Sequence, residues 1–237
     1  MRGWPAYRAA GARGIVALAA AGVATVWGGA LAARAATNGV TAQSPTAILA
    51  AATSAIDGVS EVHVAGSGVS GRTSISLDLH LVASEGGEGT VALDGSSFQF
   101  VVIGNEGYFK ASPGFWKRYT NATIAQLVKN RWFKVPTTGA FASFTEFSNI
   151  HKLFSGLLGS HGTLAKGKLT TLRAQRVIPL IDKTQGGTLY VAATGKPYPV
   201  EIANPGQHGV IVIDKIDQPV RLTAPSDALN LSQLEKG

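Results

Sequence analysis

From Ser74 to Leu81 the chain reads SISLDLHL, so Ile75, Leu77, Leu79 and Leu81 alternate with Ser74, Ser76, Asp78 and His80. Period-two alternation puts the apolar side chains on one face of a β-strand and the polar ones on the other. A strand of this kind is covered on one side only, so the chain must build a sheet with one buried face. Val62 and Val64 keep the same phase in a short strand over Ser60–Ala65. Val91 and Leu93 mark the next strand, then Phe98, Phe100 and Val102, and Tyr108–Ala111 continues the series. Gly86-Gly87, Asp94-Gly95 and Gly104-Asn105 are the turns between them, which makes an antiparallel meander.

Just before the alternating strand, Gly66, Gly68 and Gly71 have the spacing G-x-G-x-x-G of a dinucleotide-binding turn. That fingerprint needs a strand before it and a helix after it, because the helix N-terminus holds the pyrophosphate. Here a strand follows, so the glycines are expected to form a hairpin turn, not a phosphate cradle.

Around the meander the pattern changes. SPTAILAAATSAIDGV opens with Ser44 as N-cap and Pro45 at the first helical position. It sets Ile48, Leu49, Ala52 and Ile56 on one stripe, and Asp57-Gly58 ends it. From Ser112 to Leu158 period two disappears. A short helix is predicted over Ala122–Lys129, and a longer one over Phe144–Leu158 with Phe147, Ile150, Phe154 and Leu157 in phase and Gly159 as its cap. Strands return at Leu172–Asp182, Thr188–Ala193, Pro199–Ala203, Gly209–Asp214 and Val220–Thr223, and the tail from Ser226 is expected to form a short turn or helix.

The first 35 residues read differently from the rest. Arg2, Arg8 and Arg13 precede an uncharged apolar stretch from Gly14 to Ala33, and Ala33-Arg34-Ala35 matches an A-x-A cleavage site. This is the layout of a secretory signal, although the apolar stretch is also about as long as a membrane-spanning anchor, on the order of 20 residues. Either reading places the remainder outside the cytoplasm. The organisation expected is a signal or anchor over 1–35, a flexible link over 36–43 and a single domain over 44–237, long enough for a sizeable core.

The net charge of +7 hints at a nucleic-acid partner, but four of the 21 basic residues and none of the 14 acidic ones lie in the first 35 positions. The remaining +3 is an ordinary surface without a basic run, so nucleic acid is rejected as the main partner. There is no cysteine, which excludes disulfides, thiolate chemistry and an acylated cysteine anchor. His63, His80, His151, His161 and His208 form no H-x-H or H-x-x-x-H pair, so no metal is expected. Ser160 and His161 are adjacent, G-x-S-x-G is absent, and nothing in sequence aligns Asp78 with Glu85 or Glu88. No catalytic residue and no cofactor are expected.

A sheet with two amphipathic helical segments packs most simply with the helices across its concave face. Trp116, Trp132, Phe133, Phe141, Phe144 and Phe154 would then lie at the sheet–helix boundary. The order of elements resembles the exported mycobacterial and actinobacterial proteins of the LppX/LprG group, which are similar in fold to the LolA/LolB lipoprotein carriers. The stretches that carry the resemblance are GNEGYFKASPGFW (Gly104–Trp116) and GGTLYVAATGKPYPVEI (Gly186–Ile202). The resemblance spans roughly Pro45 to Pro225. It implies an α+β fold, a curved antiparallel half-barrel with helices on its concave face, and an apolar cavity for acyl chains. It implies non-enzymatic carriage of lipids or lipidated molecules within the cell envelope. Unlike that group, this chain lacks the lipid-bearing cysteine.

On this reading the cavity wall comprises Ile75, Leu77, Leu79, Leu81, Phe98, Phe100, Val102, Trp116, Ile150, Phe154 and Leu157. Lys110, Lys117 and Arg118 are the candidates to meet a phosphate or sugar head group. The expected partner is a lipid or lipophilic ligand, with a membrane surface compatible and no protein partner identified. The alternative is an extracytoplasmic sensor or partner-binding module of the same fold.

Overall fold

Ser44 caps the first helix as its sequence requires: its hydroxyl accepts from the Ala47 N–H at 3.3 Å, and Pro45 occupies the first helical position. In the computed structural model, which describes residues 37–70, 72–119, 128, 130–138, 145–204 and 208–230, helix α1 spans Pro45–Asp57 and buries Ile48, Ala52 and Ile56. Two further helices follow, α2 (Pro113–Tyr119) and α3 (Ile150–Gly159). Asn149 caps α3 by accepting from the Lys152 N–H at 2.9 Å. A short 3-10 turn, Glu146–Ser148, leads into it.

The strands are β1 (Glu61–Ser70), β2 (Thr73–Val82), β3 (Gly86–Leu93), β4 (Ser96–Ile103), β5 (Glu106–Ala111), β6 (Phe133–Pro136), β7 (Leu164–Lys166), β8 (Thr170–Leu172), β9 (Gln175–Asp182), β10 (Thr188–Ala192), β11 (Pro199–Asn204), β12 (Gly209–Asp214) and β13 (Leu229–Asn230). They form one sheet in the order β13-β6-β5-β4-β3-β2-β1-β12-β11-β10-β9-β7, with β8 beside β9. Every pairing is antiparallel except the short β13–β6 contact. The sheet curls without closing, since β13 and β7 stand at opposite ends of the order. It is an open α+β half-barrel with helices on its concave face.

Register explains the curl. On the inner face Gly89 stands between Leu79 and Phe100, and Gly87 between Leu81 and Val102. A Cβ on Gly89 would come within 2.7 Å of a Leu79 methyl, and one on Gly87 within 2.7 Å of a Leu81 methyl. Large side chains thus fill a concave surface because their cross-strand neighbours have none. Above β4 and β5, Phe98, Phe109, Phe115, Trp116 and Phe133 form an aromatic cluster, with the Phe98 and Phe109 rings stacked at 5.2 Å.

Several sequence expectations are corrected. The three glycines are not confined to a hairpin turn: Gly66 and Gly68 lie inside β1, which runs ten residues to Ser70. Gly86 and Gly87 belong to β3, and Ala83–Glu85 makes that turn. The stretch Leu172–Asp182 is two strands, β8 and β9, broken at Arg173 and Ala174, whose positive φ values of 48° and 63° make a tight hairpin. Val220–Thr223 is not a strand, the tail expected as a turn or helix adds the short strand β13, and β6, β7 and α2 are further elements that the sequence pattern does not mark. Residues 38–43 are docked rather than flexible. Asn38 donates through its side-chain amide to the carbonyl oxygens of Ala192 (2.9 Å) and Gly195 (3.0 Å), and Val40 is 1% exposed. Lys166 holds the Thr41 and Gln43 carbonyls. Phe141, Phe144, the N-terminal segment through Ala36 and nearly all of the helix expected over Ala122–Lys129 lie outside the described residues.

Candidate functional site: an apolar hollow beneath the third helix

The inner face of β1 changes character along its length. Val62 and Val64 are buried, and the next two inward positions are Gly66 and Gly68. Gly66 is paired with Leu77 of β2 on one side and Ile211 of β12 on the other, and Gly68 with Ile75. No side chain rises from β1 at these positions, and at Gly66 the β12 backbone packs close, since a Cβ there would come within 2.1 Å of the Val210 carbonyl oxygen; α3 spans a gap above the sheet. The gap is a hollow of about 390 Å³. Gly66, Gly68, Ile75, Leu77 and Ile211 line it from the sheet, and Phe147, Leu153 and Leu157 from the helical side. Ile75, Leu77, Leu153, Leu157, Ile202 and Ile211 are half-buried although each points at the core side, as expected of walls around unfilled space. Val69 borders the hollow at its open edge and is 37% exposed.

A second hollow of about 250 Å³ adjoins the first and shares Leu157, Ile202 and Asn204 with it. Leu49, Leu164, Leu180 and Leu189 extend its apolar wall, while Ser160, His161, Asp182 and Gln185 make one side polar. Asp182 is fixed there by accepting from the backbone N–H groups of Gly162 (2.8 Å), Thr184 (2.8 Å) and Gln185 (2.9 Å). Those bonds, the Gln185 bond first, hold its carboxyl below the usual carboxylate range. A third cleft, about 410 Å³, lies at the N-terminal end of α3 among Asp57, Glu85, Ser148, Asn149, His151 and Lys152, and its largely polar walls do not suit an alkyl chain.

The residues expected from sequence to form a cavity wall fall into separate places. Ile75, Leu77 and Leu157 line the apolar hollow. Leu79, Leu81, Phe98, Phe100 and Phe154 are at most 2% exposed, within the packed core. Val102 and Ile150 border the polar cleft, and Trp116 belongs to the aromatic cluster. Lys110 projects from the outer face of β5 with its ammonium 5.7 Å from the Trp132 ring, Lys117 is exposed on α2, and neither lines the hollow. The Arg118 side chain lies outside the described residues. Sequence reasoning missed Phe147, Leu153, Ile202, Ile211 and the two glycines. The in-phase isoleucines of VEIA and VIVID carried a signal, but only the strand register brings them to Gly66.

The fold and site together define a class: an open, helix-covered half-barrel with an apolar hollow on its concave side and no helix, among the described residues, long and apolar enough to cross a membrane. No known protein-family profile matches the chain, and no curated protein sequence matches it. Among solved structures the fold is similar to LprF from Mycobacterium bovis, with a TM-score of 0.52 and 12% identity, covering 76% of this chain and 96% of that one. Weaker similarity extends to the Mycobacterium tuberculosis lipoprotein LppX, with a TM-score of 0.46, 17% identity, and coverage of 76% and 100%. A DUF1329 family protein from Desulfovibrio piger matches with a TM-score of 0.26, 11% identity, and coverage of 76% and 96%. At such identities the LprF likeness establishes the architecture.

Proposed function

We propose that this chain is an exported, non-enzymatic carrier that holds an acyl chain of a lipid or lipidated molecule in the hollow beneath α3, for transfer within the cell envelope, as the resemblance to the LppX/LprG group implies. The observation that carries the reading is the open apolar space of about 390 Å³ between α3 and the sheet, walled by half-buried Ile75, Leu77, Leu153, Leu157, Ile202 and Ile211.

The size of the space sets the cargo. At about 30 Å³ per water-sized group, 390 Å³ holds on the order of a dozen such groups, or one alkyl chain of about that many carbons. A second chain would need the adjoining 250 Å³ hollow as well. Burying about twelve methylenes at about 0.8 kcal/mol each contributes roughly 10 kcal/mol, against an association cost of about 4 kcal/mol or more. What remains corresponds to binding in the tens of micromolar or weaker, and filling the second hollow strengthens it. Binding of that strength suits a carrier, which must also release. Asn204, the polar residue shared by both hollows, and the anionic Asp182 side of the second one are placed to discriminate among head groups.

Transfer is testable directly. Donor vesicles carrying a self-quenched fluorescent acyl lipid are mixed with unlabelled acceptor vesicles, with and without the protein. The expected result is a dequenching rate that rises linearly with protein concentration. A rate equal to that of an inert exported protein, together with no co-migration of protein and lipid, removes the carrier reading.

A further inference from the structure

The outer face of the same two strands carries a second arrangement, independent of the hollow. Register sets His63 of β1 opposite His80 of β2 on one side and Asp214 of β12 on the other, with Glu88 of β3 opposite His80. The imidazole rings are 4.4 Å apart. His63 Nδ1 lies 2.6 Å from Asp214 Oδ1, and His63 Nε2 lies 3.1 Å from Asp78 Oδ1. His80 Nδ1 is buried and has no hydrogen-bond partner.

We propose that His63, Asp78 and His80 bind a divalent transition-metal ion, with Asp214 as the carboxylate that orients His63. One ligand atom from each of the three lies within 4.8 Å of the others. Metal–ligand bonds of about 2.0–2.1 Å place neighbouring ligand atoms of a tetrahedral site about 3.3 Å apart, close to the 3.1 Å between His63 Nε2 and Asp78 Oδ1. The Asp214 contact matches the outer-shell pattern of metal-binding histidines, in which the second ring nitrogen donates to a carboxylate and turns the first toward the ion. Two imidazoles and one carboxylate suit zinc or another first-row dication, and solvent fills the remaining position. The charges facing the site are Asp78, Asp214 and Glu88, opposed by Lys215, which leaves two negative charges for a dication to neutralise. Ligation requires His63 Nε2 and the His80 donor nitrogen to be unprotonated, so protons compete with the ion and affinity falls at acid pH. The ion would clamp β12, β1 and β2 on the side opposite the hollow.

The test uses the full chain without a polyhistidine tag, stripped with chelator and titrated with zinc alone by calorimetry. One equivalent is expected to bind with proton release and to raise the melting temperature. Asp78→Asn, whose side chain is 67% exposed and so leaves folding intact, should weaken binding at least about tenfold, and Asp214→Asn about 10- to 100-fold. His151→Ala, on α3, should leave binding unchanged. Absence of saturable binding at millimolar zinc, or binding that Asp78→Asn and His80→Ala both leave untouched, overturns the proposal.

Discussion

Replacing Leu157 with tryptophan tests whether the hollow holds cargo. Leu157 is half-buried and lines both hollows from the helical side. The tryptophan side chain has about six more heavy atoms than the isobutyl group it replaces, and the nearby free space is where they go. If they displace about three to six methylenes of a bound chain at about 0.8 kcal/mol each, the loss is about 2 to 5 kcal/mol. That is about thirty- to several-thousand-fold in affinity. The same indole buries apolar surface without cutting into the core around Phe154, so folding should be undisturbed or slightly strengthened. A pyrene-labelled fatty acid titrated into delipidated protein reads the affinity, and thermal unfolding by circular dichroism reads stability. Weak binding at an unchanged or raised melting temperature is the expected pair. A variant that folds as well as the parent and binds the probe with the parent's affinity refutes the assignment of the hollow.

Other expectations follow from the same contacts. Phe154 is fully buried on α3, so Phe154→Ala should cost about 3–5 kcal/mol, or roughly 6–20 °C in melting temperature for a domain of this size, by calorimetry. Asp217 accepts from the Ser60 N–H at 2.8 Å, the Ser60 hydroxyl at 3.1 Å and the Tyr198 hydroxyl at 3.2 Å, and the Ser60 backbone bond foremost holds its carboxyl below the ordinary range. Its folded pKa is lower than its unfolded one, so its contribution is present above the ordinary carboxylate range and lost as pH falls through the depressed value. Asp217→Asn should therefore lower the melting temperature at about pH 7 and have a smaller effect at about pH 3. An equal drop at both values would contradict the linkage.

What could be read from the sequence was whatever local chemistry enforces. Ser44-Pro45 specifies a helix start without tertiary help, and the alternation through Leu81 specifies a strand and its buried face. The residues missed depend on neighbours far along the chain. Gly66 and Gly68 looked like turn residues because glycine is rare inside strands, and only the register with Leu77, Ile75 and Ile211 shows them inside the sheet, with Gly66 close against the β12 backbone. FKVP in β6 is four residues long with a proline at its end, too short for a periodicity signal, and its sheet partners β5 and β13 lie more than twenty residues before it and far after it. The inner aromatics read as one wall, yet a concave sheet packs Phe98, Phe100 and Phe154 solid while leaving its β1–β12 side open. His63 joins His80 and Asp78 only through strand register, so motif spacing along the chain could not reveal the cluster.

The most direct measurement is native mass spectrometry of the protein isolated from its own cells without detergent. The account gives a population carrying one lipid-sized mass increment, released on denaturation as an acyl-containing molecule and absent from Leu157→Trp. A wild-type protein that emerges only at its polypeptide mass, and stays so after incubation with envelope lipid, contradicts it.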